Sequence, residues 1–408
     1  MTKFIKNTFI IFFILIIFTS KGFSQKSIII FKTDYSNNYM NYAIYDLIIK
    51  NIFLYSNLKI MNSYSNYSSY NKIKSQIKKL TINNNANISI AYQIQNFKNG
   101  ILINYIIFDN EKPNEWIEKS AYSKEEDLFF SINKILKDIY EISKIKNKIT
   151  YIKEKDYISL LGYYSQKIIL TNNEDNIYKL FYDFHKDNIY FNIDYLEYLT
   201  DKSDRTSVDI INDLIKNMQN YINKKKNHYY LYSLGCMHYG KYKVNVILSD
   251  IEASIENYNK ALKLKNNYYK YYYRLANAYI LKNDYDNAIK YYEEAIKLNE
   301  YDINIIREFV YLLKRNINKN GNEVISYLKK IIEINKNDEE ALEEISKLYE
   351  KIGDYDNALI YYNKLFEVIN YNLYIINNET KDADAYDRYI FKRNSIKLNI
   401  ESLNKKIF

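Results

Sequence analysis

Four segments in the second half of this chain carry the same amphipathic helical pattern at nearly constant spacing. They read SIENYNKALKL from Ser254, AIKYYEEAIKL from Ala288, VISYLKKIIEI from Val324 and ALIYYNKLFEV from Ala358. Successive segments begin 34, 36 and 34 residues apart. A unit of this length that is built from two helices cannot bury its apolar face alone. Neighbouring units must therefore stack and form a continuous helical array.

Small residues recur where the two antiparallel helices of each unit would cross. Helices whose axes lie about 8–10 Å apart leave no room for large side chains at the crossing. On the first helices the small residues are Gly235, Ala276 and Ser346, and on the second helices they are Ser254, Ala288 and Ala358. The apolar stripe around them serves two contacts, one with the partner helix and one with the next unit.

This pattern resembles the tetratricopeptide repeat over about residues 227–372. The resemblance divides the segment into four units, which are residues 227–268, 269–302, 303–338 and 339–372. It implies an all-α solenoid of antiparallel helix pairs, with a concave groove that is lined by the first helix of each pair.

Two of these units depart from the family's pattern. The third unit carries the large residues Val310, Val324 and Ile331 where the repeat has small ones, so we expect its helices to lie further apart. The first unit has several extra residues near Tyr242 to Leu248, which predict an extended loop between its helices.

Helical patterns continue on both sides of the repeats. Residues 150–226 are predicted to form two degenerate helical hairpins that extend the solenoid. Residues 373–408 are predicted to form a tail with a final helix, because the open face of the last repeat needs a cover.

The periodicity changes upstream of residue 150, which predicts a separate α/β domain at residues 25–143. Short apolar runs at Ser27–Phe31 and Leu58–Met61 are typical of buried strands. The Asn99-Gly100 turn between two further apolar runs predicts a β-hairpin. With the helical patterns between them, the predicted order is strand, helix, strand, helix, three strands and helix, and the whole chain is expected to be α+β.

Landmarks in this domain carry a second resemblance. They are Asn99-Gly100, Ile107-Phe108-Asp109, Trp116, Tyr122 and Asp127-Leu128-Phe129. This run is similar to the amino-terminal domain of the Tol-Pal protein TolB and to related envelope domains, which are often joined to tetratricopeptide repeats. The resemblance implies a module that contacts other envelope proteins and that has no catalytic residue.

Residues 1–24 have the pattern of a secretory signal peptide. Lys3 and Lys6 precede an unbroken apolar run from Phe9 to Phe18, and small residues follow at Gly22 and Ser24. The run is shorter than the roughly 20 apolar residues that a bilayer span needs. We therefore expect an exported protein of the periplasm or cell envelope. An inner-membrane anchor formed by residues 7–20 is the alternative.

The composition gives little support to enzymatic chemistry. The chain has one cysteine and three histidines and contains no Gly-x-Gly pair, so it lacks the loops that bind dinucleotides or phosphates. Cys236 and His238 are two residues apart on a helix, so they point to different faces. The net charge of +9 comes with Lys and Glu mixed along the helices, which disfavours a nucleic-acid partner. We predict no enzymatic activity, no cofactor and no metal.

The family register places nine residues on the predicted groove. They are Tyr229, Tyr232, Tyr239, Lys270, Tyr273, Arg274, Asn277, Arg307 and Tyr311. Tyr and Arg are enriched in protein-binding hot spots. Asn277 matches the position from which some family members hold a peptide carboxylate, but Tyr273 stands where they have Lys, so no carboxylate clamp is predicted. A chain with 48 tyrosines also places tyrosines there by composition alone.

These features predict an exported adaptor that binds a peptide or helix of an envelope protein in its groove. The partner is expected to be a protein or peptide, with the membrane reached only through partners or through an uncleaved anchor. Two alternatives stay open, namely a structural role in which the repeats self-associate, and an enzyme whose site the sequence does not reveal.

Overall fold

The computed structural model describes most of the chain from residue 26 onward. The described residues are 26–32, 39–56, 58–61, 70–83, 86–97, 99–113, 116–124, 127–144, 152–153, 157, 160, 163, 178, 181–182, 185, 188–218, 227–316, 321–380 and 382–407. The predicted signal peptide lies outside them, as does most of the first predicted helical hairpin. Contacts divide the chain into two compact units, Met1–Tyr271 and Tyr272–Phe408.

The first unit begins with a five-stranded sheet and three helices. In chain order these are β1 (Ser27–Lys32), α1 (Tyr39–Tyr55), β2 (Lys59–Met61), α2 (Tyr70–Asn83), β3 (Ile88–Phe97), β4 (Gly100–Asp109), β5 (Trp116–Ser123) and α3 (Leu128–Ser143). The strands lie in the order β2-β1-β3-β4-β5. Strand β1 is parallel to β2 and β3, whereas β3, β4 and β5 form an antiparallel meander. The order of strands and helices along the chain is the one predicted from the sequence.

Alternation along the strands explains why the sheet is covered on both faces. Ile29, Phe31, Ala91 and Phe108 form one core with α2, which is amphipathic. Residues of the opposite parity point the other way and are also buried, because α3 packs on β4 and β5 and also contacts α1. Because both faces of the sheet are covered, the isoleucine-rich strands are nearly continuous apolar runs in the sequence.

The first unit continues with helices. They are α4 (Ile189–Lys202), α5 (Arg205–Met218), α6 (His228–Asn245), α7 (Leu248–Leu264) and the start of α8 (Tyr269–Leu281). Helices α4 and α6 each begin after an asparagine, Asn188 and Asn227, whose side chain accepts hydrogen bonds from the first backbone N–H groups. Asparagine is among the best residues for this capping position.

Helix α1 joins the sheet to the first helical pair. The ring of Phe53 lies among four aromatic side chains, with ring centroids 4.2 Å from Tyr268, 5.2 Å from His228, 6.0 Å from Tyr229 and 6.2 Å from Tyr271. Edge-to-face and tilted pairs of this kind contribute about 0.5–1.5 kcal/mol each beyond the burial of their area. The α/β region and the first repeat thus share one aromatic core.

Lys265, just after α7, makes the polar part of the same contact. Its Nζ donates to the backbone carbonyl oxygens of Phe53 at 2.6 Å and Ser56 at 2.8 Å. These carbonyls lie at the C-terminal end of α1, where helical carbonyls have no partner within the helix and a cation is favourable. Desolvation lowers the pKa of Lys265 to about 7, and burial together with this cation lowers the pKa of His228 to about 3.

The second unit contains the remaining repeats. Its elements are the rest of α8, then α9 (Tyr285–Leu298), α10 (Ile303–Asn316), α11 (Gly321–Ile334), α12 (Glu339–Lys351), α13 (Tyr355–Ile375), a π-helical turn (Ile376–Thr380) and α14 (Ala383–Ile407). Helix α14 packs along α13 and reaches α12, where Lys392 and Tyr389 both contact the carboxylate of Glu339. The last repeat is therefore covered by a helix.

The repeated segment DYDNA explains why α9 and α13 begin alike. Asp284 accepts a hydrogen bond from the backbone N–H of Asn287 at 3.2 Å, and Asp354 does the same for Asn357 at 3.2 Å. Each asparagine side chain also donates to its aspartate at 2.8 Å. An aspartate before the first turn satisfies an orphan N–H and places a negative charge at the positive end of the helix.

The close approach in the first repeat depends on Gly235 of α6. A Cβ at this position would lie 2.4 Å from two ring carbons of Tyr258, which is fully buried. The hydroxyl of Ser254 donates to the carbonyl oxygen of Gly235 at 2.9 Å across the same crossing. The small residues inferred from the sequence therefore meet at the helix contact.

The prediction of an extended loop between the helices of this repeat is wrong. The extra residues lengthen the helices instead, because α6 has 18 residues and α7 has 17, whereas α8 has 13 and α9 has 14. Only Val246 and Ile247 lie between α6 and α7. Extending two packed helices keeps backbone hydrogen bonds that a loop would lose.

We expect Gly235→Ala to destabilise the protein by about 1–3 kcal/mol, because the added methyl group must displace the Tyr258 ring. This loss outweighs the gain of about 0.5–1 kcal/mol that alanine brings within a helix. The urea midpoint from far-ultraviolet circular dichroism measures the change. Gly321→Ala is the control, since the nearest described atom to a Cβ at that position, Cγ2 of Ile352, would be 3.7 Å away. Equal midpoints for the two variants would contradict the steric explanation.

The free energy of unfolding should rise with pH between about pH 7 and pH 9. In the folded protein the pKa of Lys265 is about 7, below its ordinary value of 10.5, so the unfolded chain binds more protons in this window. Lys265→Met should flatten this slope, whereas Lys263→Met, at an exposed position, should preserve it. Urea unfolding at several pH values tests this, and an unchanged slope in Lys265→Met would refute it.

Candidate functional site

A cavity of about 550 Å³ lies within the second unit, on the first helices of its repeats. Its lining comes mainly from α8, α10 and α12, with contributions from α9 and α11. The residues are Asn277, Ile280, Asn283, Tyr285, Tyr292, Arg307, Glu308, Val310, Tyr311, Leu312, Lys314, Leu328, Glu340 and Glu344. We call this surface the repeat groove.

Helix α10 supplies the central side chains of the repeat groove. Arg307, Tyr311 and Lys314 are spaced by four and three residues, so they lie on one face of the helix. Tyr311 is 62% exposed even though it lines the cavity. Val310 and Leu312 on the same helix also line the cavity but are buried, so the lining combines the exposed ring with apolar side chains.

The two cations of the repeat groove are paired with carboxylates of the next repeat. Arg307 Nη2 lies 2.9 Å from Asp338 Oδ2, and its Nη1 contacts Glu340. Lys314 Nζ lies 2.5 Å from Glu344 Oε1. These pairs link α10 to α12 and neutralise both positive charges.

Glu308 has a different environment from the other carboxylates of the groove. It accepts hydrogen bonds from the hydroxyls of Tyr273 and Tyr292, each at 3.0 Å, and Tyr292 also contacts Asn277. Among the described residues, no cation pairs with Glu308. The groove therefore carries three carboxylates and two already paired cations, and its local charge is negative.

The structure brings three of the predicted groove residues together, namely Asn277, Arg307 and Tyr311. Tyr273 contacts the groove residue Glu308 from α8. Arg274 is buried, and its guanidinium carbon lies 5.3 Å from the centre of the Tyr273 ring. Arg274 therefore contributes to packing of α8 and offers little surface to a ligand.

The other predicted residues belong to the first unit. Tyr229, Tyr232 and Tyr239 are buried, and the hydroxyl of Tyr232 donates to Glu197 of α4 at 2.6 Å. Lys270 Nζ lies 3.7 Å from the same carboxylate. These side chains tie α4 to α6 and α8, and the tyrosines present almost no surface.

Sequence reasoning missed Lys314 and the acidic and apolar residues of the repeat groove. Lys314 follows Tyr311 by three residues, so continuing the helical spacing from Arg307 would have found it. Glu340 and Glu344 have the same four-residue spacing on α12. Leu328 comes from a second helix, and no local pattern indicated that it would reach the groove.

Within the described part of the chain, no group of three or more His, Cys, Asp or Glu side chains is arranged to hold a metal ion. In the same residues, no helix has both the length and the apolar character needed to cross a bilayer.

Two segments match family models of the tetratricopeptide repeat, at residues 269–302 and 339–372. These segments are tetratricopeptide repeats. They contain α8 with α9 and α12 with α13, and the repeat groove lies along the first helix of each pair. Repeats of this family support a role as a protein–protein interaction scaffold.

Solved structures of similar proteins include MamA and YrrB. A crystal structure of MamA is 21% identical and covers 40% of this chain and 91% of its own, with a TM-score of 0.32. The structure of YrrB, described as a tetratricopeptide-repeat protein with an unusual peptide-binding site, is 15% identical and covers 46% of this chain and 89% of its own, with a TM-score of 0.29. No curated protein matches the chain.

Asp338 should contribute more to stability than Glu340, although both contact Arg307. Asp338 is largely buried and also accepts a hydrogen bond from Ala341 N at 3.0 Å as the N-cap of α12. We expect Asp338→Ala to cost about 1–2 kcal/mol. Glu340 is 63% exposed, so Glu340→Ala should cost less than about 0.5 kcal/mol. Urea unfolding measures both, and similar losses would show that the cap is unimportant.

Proposed function

We propose that this protein is an exported, non-enzymatic adaptor of the bacterial cell envelope, and that its repeat groove binds a peptide or helix of another envelope protein. The single observation that carries the proposal is the exposed Tyr311 ring in a cavity of about 550 Å³ whose lining also includes apolar side chains. An aromatic anchor on a rigid helix offers large contact area at a small loss of side-chain freedom.

The envelope location rests on the sequence of the amino-terminal part. The apolar run from Phe9 to Phe18 after two lysines supports export. The likeness of residues 26–143 to the TolB amino-terminal domain supports a module that docks to an envelope component. Under this proposal the α/β region and the repeat groove bind different partners.

The charge of the repeat groove favours a partner segment with a basic residue. Arg307 and Lys314 are already paired with Asp338, Glu340 and Glu344, so a peptide carboxylate would have to break an existing ion pair. Glu308 instead can accept a cation from the partner, next to Tyr311. The proposed ligand is thus an amphipathic segment whose apolar side chains contact Tyr311 and whose Lys or Arg approaches Glu308.

Tyr311→Ala should abolish capture of the envelope partner by immobilised protein, with a loss of binding free energy of about 2 kcal/mol or more. Tyr374→Ala is the matched control, because Tyr374 is also 62% exposed but lies on α13 and does not line the repeat groove. Captured proteins are identified by mass spectrometry. Arg274→Ala is unsuitable as a test because Arg274 is buried and its loss would disturb folding.

Glu308→Gln separates the charge requirement from the aromatic contact. It retains acceptor capacity for the two tyrosine hydroxyls and removes the negative charge. We expect weaker binding of the captured partner and a smaller dependence on salt than in the unmodified protein. The same captured proteins for all of these variants would refute binding in the repeat groove.

A further inference from the structure

The five-stranded sheet ends in two different edges. At one edge, β2 has only three residues and pairs with β1. At the other edge, β5 has eight residues, contains no proline and pairs with β4 in a continuous register without a bulge. Short strands, prolines and bulges are devices that keep a sheet edge from pairing with another chain. Strand β5 has none of these devices, and among the described residues no strand lies beyond it.

The pairing of β3 with β4 shows which backbone groups of β5 point away from the sheet. Just beyond these strands, Asn110 N donates to Asn87 O at 2.7 Å, so the even-numbered residues of β4 bond to β3. The odd-numbered residues of β4 therefore bond to β5, where their partners in the register are residues 117, 119, 121 and 123. The N–H and C=O groups of residues 116, 118, 120 and 122 consequently point outward.

Only one of these outward groups has a hydrogen-bond partner in the part of the chain that the structure describes. Lys134 of α3 donates through Nζ to the carbonyl oxygen of Ser120 at 3.0 Å. No hydrogen bond from a described residue reaches the other outward groups of β5. A row of unpaired N–H and C=O groups is complementary to the backbone of another extended chain.

Two exposed aromatic rings lie at the ends of this edge. Trp116 is 54% exposed and Tyr122 is 57% exposed, and both lie on the same face of β5 because their numbers have the same parity. The hydroxyl of Tyr122 donates to the carbonyl oxygen of Asn99 at 3.0 Å, and a Cβ at Gly100 would lie 2.7 Å from its Cζ. The Tyr122 ring is therefore held in place. Alternate side chains of an added strand would pack against the two rings.

The charges along β5 leave one cation without a carboxylate. The neighbouring charges are paired with one another, namely Glu118 with Lys74, Lys119 with Asp138, and Lys137 with Glu141. Within the described residues, Lys134 pairs with no carboxylate and lies against the carbonyl oxygen of Ser120, at the middle of the strand. The acidic residues at the two ends of the strand, Glu115, Glu125 and Glu126, are five or more residues from Ser120 in sequence. The uncompensated charge at the middle of this edge is therefore positive.

We propose that the outer edge of β5 binds an extended segment of another protein, which joins the sheet as an added strand and carries an acidic residue at its middle. The segment's backbone would pair with residues 116, 118, 120 and 122. Its apolar side chains would contact Trp116 and Tyr122, and its acidic side chain would lie beside Lys134. This inference specifies how the α/β region would dock and so rests on the proposed adaptor role, but it does not depend on the repeat groove.

A second copy of the chain fits this edge less well than a different protein does. In a two-fold antiparallel pairing centred on residue 118 or 119, Glu118 or Lys119 would face its own copy. In a pairing centred on residue 120 or 121, the two Lys134 side chains would meet near the symmetry axis. Like charges placed opposite each other destabilise strand pairing. A segment with a central acidic residue has no such conflict.

Trp116 is the chain's one tryptophan, so its fluorescence tests the proposal at the edge itself. The probe is a short end-blocked peptide of alternating valine and threonine in which glutamate replaces one central threonine. We expect a saturable blue shift of the Trp116 emission as this peptide is added to the full chain. The same peptide with glutamine in place of glutamate should bind roughly two- to fivefold more weakly. Lys134→Gln should remove the difference between the two peptides.

Ser120→Pro tests the backbone pairing. Proline removes an outward N–H and breaks no hydrogen bond to β4, so this edge position can accept it. Ser120→Ala is the matched control, because both variants lose the hydrogen bond from Ser120 Oγ to Asn104 Oδ1 but alanine keeps the N–H. We expect Ser120→Pro to weaken peptide binding by roughly tenfold and Ser120→Ala to preserve it. Far-ultraviolet circular dichroism checks that both variants fold.

Equal peptide binding by folded Ser120→Pro and Ser120→Ala would overturn the proposal, as would the absence of a shift at millimolar peptide. If Ser120→Pro does not fold, the comparison of the two peptides with Lys134→Gln decides, and an unchanged difference between them would overturn it. A blue shift without peptide that grows with protein concentration would show that a second copy occupies the edge instead. Tyr311→Ala should bind the peptide like the unmodified protein, so failure of strand binding is distinguishable from failure of the repeat groove.

Discussion

The contact between Lys265 and the end of α1 holds the first unit together. One ammonium group satisfies backbone carbonyls of Phe53 and Ser56, and the Phe53 ring enters an aromatic cluster of the first repeat. Without Lys265 these carbonyls at the end of α1 would be buried without hydrogen-bond partners, and without the carbonyls the buried lysine would lose its acceptors. The α/β region is therefore fixed to the first repeat through a shared core, whatever the length of chain between them.

In the repeats, helix capping and close helix packing fix the positions of the helices that form the groove surface. Small residues such as Gly235 and Ala276 allow the helices of a pair to approach, and aspartate caps such as Asp284 set where the second helices begin. Once the helices are fixed, the side chains of α10 have defined positions relative to α12. The charge of the repeat groove then depends on which cations are already neutralised within the protein, and both of those in the groove are.

Sequence reasoning succeeded where the signal was local and partly missed the candidate site. The 34-residue period made it possible to predict on which face of its helix a residue lies. Arg307 and Tyr311, which this reasoning placed on the groove, line the cavity. The burial of a side chain was not predictable in the same way. Tyr232 and Arg274 lie on the helix faces expected to line the groove, but other elements bury them. The extra residues near Val246 were misread as a loop, since nothing in their composition says whether a helix continues through them.

The sequence by itself determined the two classes of structure, the order of strands and helices in the α/β region, and the pairing of helices in the repeats. These features follow from spacings within one helical turn or one strand, which short stretches of chain encode. Only the tertiary structure decided which charges pair, since Arg307 and Asp338 are 31 residues apart. It also decided the docking of α1 on Lys265, over a separation of 212 residues. Contacts at such separations depend on how finished elements pack, and no local pattern records them.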